Sequence, residues 1–125
     1  MIKSHKDLLA WQKAMELVEL VYDLTRAFPR EELFGLATSL RRAAVSIPSK
    51  IADGHERDNT REFIHYLSVA RGALSEVETQ IEIAKRLAYI DDEQQARFNQ
   101  LVSDTGKIIN GLMNSMERYA VAHAR

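Results

Sequence analysis

Phe63, Leu67, Ala70, Leu74, Val77, Ile81 and Ala84 alternate steps of four and three, and Leu87 adds one more step of three. That spacing holds all eight on a single stripe of an α-helix. It predicts a helix over residues 60–88, roughly 43 Å long at 1.5 Å per residue. Asn59 followed by Glu62 supplies its N-terminal cap, with Asn standing in for Ser or Thr. A helix of this length with one apolar stripe is stable only when that stripe is covered along its length, so the remaining chain must provide partners.

Three further segments carry the same periodicity. Leu8, Trp11, Met15, Val18, Tyr22 and Thr25 predict a first helix over residues 5–28, closed by Phe28-Pro29 because proline pushes its predecessor out of the helical region. A second set on that helix, Leu17, Leu20, Val21 and Leu24, makes its apolar surface wider than one antiparallel partner covers, and marks these four as a candidate oligomer interface. A second helix begins near Glu32, with Leu33, Leu36, Leu40, Ala43 or Ala44, Ile47 and Ile51 as its stripe. Pro48 lies within it and predicts a kink or a break, and Gly54 predicts its end. Asp91 with Gln94 caps a fourth helix, whose stripe reads Phe98, Leu101, Thr105, Ile108, Leu112, Met116 and Tyr119. Gly72, Gly106 and Gly111 lie inside helices at about 1 kcal/mol each, which predicts close helix approach at those points. The tail over residues 121–125 is expected to fray.

Four amphipathic helices with short connections and no competing strand predict an all-α, antiparallel up-down-up-down bundle, one domain over residues 1–125. The 46% hydrophobic content of the 125 residues suffices for a continuous core. With no cysteine, disulfides and thiol chemistry are excluded, and a reducing, cytoplasmic location is expected. No apolar run approaches the roughly 18 residues that span a bilayer, so no membrane partner is expected.

The net charge of −1 supplies no global attraction for nucleic acid. Locally, residues 41–71 hold six bases against four acids, a net of +2, whereas residues 72–94 hold two against six, a net of −4. Solvated helix faces account for such a polarity as well as a binding patch does.

Constellations for chemistry are missing their essential members. Glu62-Phe63-Ile64-His65 has the Glu-x-x-His spacing of di-metal bundles, but those need the motif twice plus two further glutamates, and here it occurs once. His55-Glu56 begins a zincin motif that fails at Asn59. Ser46 and Ser49 flank Pro48 next to Lys50, yet neighbours in sequence point to different sides of a helix, so the serines are expected to bond backbone carbonyls. His5 and His123 lie near the ends and are expected to be solvated. No phosphate loop or dinucleotide fingerprint is present; no enzyme activity, metal, cofactor or small-molecule substrate is expected.

Binding is the remaining class. Arg41-Arg42 beside Ala43-Ala44 must either bury charge against a partner or present it to one. Arg41, Arg42, Lys50, Arg57 and Arg61 are candidate nucleic-acid contacts if the second helix runs into the third around Gly54. The competing reading pairs Arg41 and Arg42 with Glu62, Glu76 or Glu78, and places Phe34, Phe63 and Tyr66 in a core or interface.

The pattern formed by Trp11-Gln12-Lys13-Ala14-Met15, Phe28-Pro29, Gly35-Leu36, residues 41–49 (RRAAVSIPS), Ile51-Ala52, Gly54, Arg57, Glu62-Phe63 and Glu78-Thr79-Gln80 resembles the four-helix-bundle family first associated with intervening sequences in bacterial 23S ribosomal RNA genes. The resemblance is close over about residues 6–90 and looser over the fourth helix. It implies a left-handed bundle assembled as a homopentamer, with no known enzymatic activity. Distant relatives, accessory proteins of diversity-generating retroelements, imply RNA or DNA and a protein as partners. Here Lys50 stands where the family usually has asparagine, Asp53 where it has glutamate, and Ser39 where glutamine is common. The alternative to nucleic-acid binding is a protein-interaction scaffold.

Overall fold

The computed structural model describes residues 4–124, and within them the chain forms four helices and no strand. They are α1 (Leu9–Thr25), α2 (Leu36–His55), α3 (Thr60–Arg86) and α4 (Asp92–Ala122). Each packs on its neighbours in the cycle α1, α2, α3, α4, with the contact of α2 against α3 the most extensive and that of α1, the shortest helix, against α4 the least. Contacts between α3 and α4 advance along one helix as they retreat along the other, from Arg61–Glu117 through Arg71–Asn110 to Gln95–Glu82, so the two are antiparallel. Gln80–Ser39 at one end and Tyr66 against Gly54 at the other show the same for α2 and α3.

The caps of α3 and α4 are those expected. Asn59 accepts a hydrogen bond from the Glu62 amide at 2.9 Å, and Asp91 and Gln94 form a reciprocal capping box. The third helix ends at Arg86, two residues before the expected stop. Ala88 there takes up a left-handed φ of 63°, while the Tyr89 and Ala88 amides return to the carbonyls of Ala84 and Lys85. This is a Schellman closure built without glycine. Leu87 leaves the stripe and is exposed.

The first helix is rotated and shorter than its periodicity suggested. Residues His5–Asp7 form a separate 3₁₀ turn capped by Ser4, and extended Leu8 breaks it from α1. Leu17, Leu20, Val21 and Leu24, with Ala10 and Ala14, form its buried face, whereas Met15 and Tyr22 are exposed. The four residues expected at a subunit interface are therefore core residues of the single chain. Leu20, almost fully buried, is among the residues that line a groove beside α4. His5, expected in solvent, is half-buried and packs edge-on with Trp11, ring centres 5.4 Å apart; His123 is exposed and stacks on Tyr119.

The second helix starts at Leu36, after a 3₁₀ turn over Arg30–Glu32, and continues through Pro48 without a break. Pro48 is on the buried face between Ile47 and Ile51. Gly54 does not stop the helix, which extends to His55. It is buried, and a Cβ there would lie 2.6 Å from Tyr66 Cβ and 2.9 Å from Phe63 Cδ1. Its role is close approach of α2 and α3.

On α4 the buried set is Phe98, Val102, Thr105 and Ile109, a stripe rotated from the expected one; Leu101, Ile108, Leu112 and Met116 are half-buried and Tyr119 is exposed. Nor do the other helical glycines mark close approach. Gly72 and Gly111 face open space, and Gly106 makes ordinary contact with Leu74. The fourth helix reaches Ala122, so most of the tail expected to fray is helical or caps it; Arg125 lies outside the described residues.

Candidate nucleic-acid interface

Of the five candidate cations, two come together and three stand apart. Lys50 and Arg57 meet at Tyr66, which the close Gly54 contact draws against the end of α2. The Lys50 Nζ lies 6.0 Å from the ring centre and the Arg57 guanidinium 5.0 Å, while Arg57 Nη2 donates to the Tyr66 hydroxyl at 2.8 Å. A cation held over a tyrosine ring keeps most of its charge available, because the quadrupole attracts it without neutralising it. Neither Lys50 nor Arg57 forms an ion pair among the described residues.

Arg61 is in the same region but bound elsewhere, its Nη1 2.8 Å from the Glu117 carboxylate on α4. Arg41 begins nine residues before Lys50, roughly 13 Å along the helix. Its Nε donates to Thr25 Oγ1 at 2.8 Å and its guanidinium sits 4.8 Å from the Tyr22 ring centre. Arg42 is exposed and shares a shallow depression with Glu76. Neither arginine forms an ion pair with Glu62, Glu76 or Glu78. Of the five cations that the sequence offered, only Lys50 and Arg57 converge.

Tyr66, the residue that organises them, was expected in a core or interface. Its signal was Gly54: in an antiparallel helical hairpin, a buried glycine permits a large side chain to lie across the opposing helix. His55 packs edge-on with Phe63, ring centres 5.9 Å apart, and its Nδ1 is buried without a partner among the described residues.

Elements of chemistry do not assemble here. Glu62 and His65 are both exposed, and the described residues contain no cluster of three or more histidine, aspartate or glutamate side chains able to hold a metal ion. Ser46 donates to the Ala43 carbonyl at 2.6 Å, and Ser49 faces solvent. No described helix is long and apolar enough to cross a membrane.

The sequence pattern of the 23S rRNA-intervening sequence protein family matches residues 6–111. The chain belongs to that family. A solved structure with the same fold is a protein of unknown function from the S23 ribosomal protein family of Bacteroides thetaiotaomicron. It is 23% identical, with a TM-score of 0.79, and the match covers 87% of this chain and 98% of that one. No curated protein matches the chain. Within this intervening-sequence family member, nothing in the match or the site indicates catalysis.

Proposed function

We propose that the protein is a non-enzymatic, homo-oligomeric binding scaffold, a pentamer by its resemblance, that grips the phosphate backbone of a nucleic acid at the α2–α3 end. The convergence of Lys50 and Arg57 on Tyr66, with no ion pair to either among the described residues, supports this reading. Arginine offers bidentate phosphate contacts, lysine a point charge, and the tyrosine a surface for an unpaired base. One such patch is weak beside Asp53, Glu56, Asp58 and Glu62, which share this end of the molecule. Repetition around a ring raises its avidity without adding a contact.

The test measures binding of a short structured RNA across a salt series, for the wild-type protein and for a Lys50→Gln/Arg57→Gln variant of unchanged oligomeric mass. The expected outcome is weaker binding with a salt slope shallower by about one unit per lost phosphate contact. Identical affinity and slope would overturn the nucleic-acid reading and leave a protein-interaction scaffold.

A further inference from the structure

The chain has four histidines, His5, His55, His65 and His123, and the fold gathers all of them at one end of the bundle. His55 closes α2 and His65 stands in the second turn of α3, on either side of their connection. The Arg41–Thr25 bond pairs the start of α2 with the close of α1, so the turn bearing His5, which packs on α2, lies toward the other end of that helix. The Arg61–Glu117 pair brings the last turns of α4, and with them His123, to the same end. Lys50 and Arg57 meet at Tyr66 there.

Each histidine packs on an aromatic ring. His5 meets Trp11, His55 meets Phe63 and His65 meets Tyr66 edge-on, with ring centres 5.4, 5.9 and 5.8 Å apart, and His123 stacks on Tyr119 at 4.0 Å. None of the four forms an ion pair among the described residues. An imidazolium against an aromatic ring is not neutralised as it would be by a carboxylate. The fixed charges around them nearly cancel. Among the described residues, the N-terminal turn brings Lys6 and Asp7, α2 and its cap bring Lys50, Asp53 and Glu56, and the connection brings Arg57 and Asp58. The third helix adds Arg61 and Glu62, and the fourth Glu117 and Arg118. Five bases against six acids leave a net of −1, and the first charged pair on α1, Lys13 with Glu16, is neutral as a unit.

We infer that proton uptake by these histidines strengthens the grip of this end on a polyanion, so that the phosphate-binding site is gated by pH. Imidazole is the side chain whose charge changes between about pH 8 and about pH 5, a range over which carboxylates, ammonium and guanidinium groups largely keep theirs. Protonation of the exposed pair, His65 and His123, takes the net charge to +1, and protonation of all four takes it to +3. The field that meets an approaching polyanion then reverses sign. His65 bears directly on the site, because its ring and the Arg57 guanidinium share Tyr66. This inference rests on the nucleic-acid reading proposed above and supplies its regulation.

The experiment measures binding of the same short structured RNA at about pH 8 and about pH 5.5 at constant salt. It compares wild type, a His65→Gln/His123→Gln variant and a variant with all four histidines changed to Gln. His65 and His123 are exposed, so the double variant keeps the wild-type circular dichroism and decides the matter even where the fourfold variant does not fold. Wild type is expected to bind about tenfold more tightly at the lower pH, with a steeper salt slope. That gain should fall to about threefold or less in the double variant and vanish in a folded fourfold variant. Equal wild-type binding at the two pH values, or a gain that the double variant keeps in full, would overturn the gate and leave the nucleic-acid reading intact. No wild-type binding at either pH would overturn both.

Discussion

Tyr89 donates its hydroxyl to Glu32 at 2.8 Å, joining the connection ahead of α2 to the one between α3 and α4. The other carboxylate oxygen of Glu32 accepts the Leu36 amide at 3.0 Å, so one side chain both caps α2 and clamps two connections. The Phe28 ring packs on Tyr89 with centres 5.3 Å apart, which fixes the tyrosine for this bond. The Leu36 amide first, and the Tyr89 hydroxyl second, hold the Glu32 carboxyl below the ordinary glutamate range; the same contact with Glu32 raises the Tyr89 hydroxyl.

These directions set a pH dependence. A depressed carboxyl contributes stability that is present above the unfolded-state value of about 4.3 and is lost as pH falls through the lower folded-state value. The raised tyrosine contributes below about pH 10 and loses its contribution as pH rises through its folded-state value. Glu32→Gln should therefore melt below wild type at pH 7, with the gap narrowing under acid. Melting temperatures from pH 2.5 to 7 check this, and a pH-independent gap would show that Glu32 acts by packing rather than by charge.

Two helical glycines should respond to alanine with opposite sign. At Gly54 the new Cβ would press on Tyr66 Cβ and Phe63 Cδ1, neither a flexible side-chain end, so Gly54→Ala should destabilise by about 1–3 kcal/mol despite its better helix propensity. At Gly72 the added methyl meets nothing within 4 Å, and Gly72→Ala should stabilise the protomer by about 0.5–1 kcal/mol. Urea denaturation of both variants provides the comparison.

The register of α1 can be tested by paired truncation. Leu17→Ala removes a fully buried side chain and should cost about 2–5 kcal/mol, whereas Met15→Ala, on the exposed side, should cost well under 1 kcal/mol in the protomer. Equal costs would contradict the observed rotation.

What the sequence revealed, and what it hid, follows from the range of each physical cause. The stripe from Leu67 to Ala84 and the caps Asn59 and Asp91 depend on residues three or four apart, and each appears as expected. Facing directions on α1 and α4 were harder, because the apolar surface of each is wider than a single stripe and only the neighbouring helices decide which part of it is covered. The Glu32–Tyr89 clamp joins residues 57 apart with no periodic signal at either. In the candidate site, charge was legible but convergence was not: Lys50 and Arg57 meet because Gly54 admits Tyr66, a contact across two helices that also leaves Arg41 on another side of the bundle.

Arg41 itself provides the remaining test. Thr25 is buried, donates its hydroxyl to the Val21 carbonyl at 2.7 Å, and accepts from Arg41 Nε at 2.8 Å, so it is the polar link that holds a half-buried guanidinium beside Tyr22. Thr25→Val preserves the shape and removes the acceptor, leaving Arg41 Nε unpaired at a cost of about 1–3 kcal/mol. In a double-mutant cycle with Arg41→Met, the second change should cost about 1 kcal/mol less once Thr25 is gone, because the bond it would break is already absent. Additive costs would show that Arg41 is not held by Thr25. The same Arg41→Met variant should leave the RNA salt slope unchanged if the phosphate contacts are those of Lys50 and Arg57; a slope reduced by about one unit would return Arg41 to the binding surface.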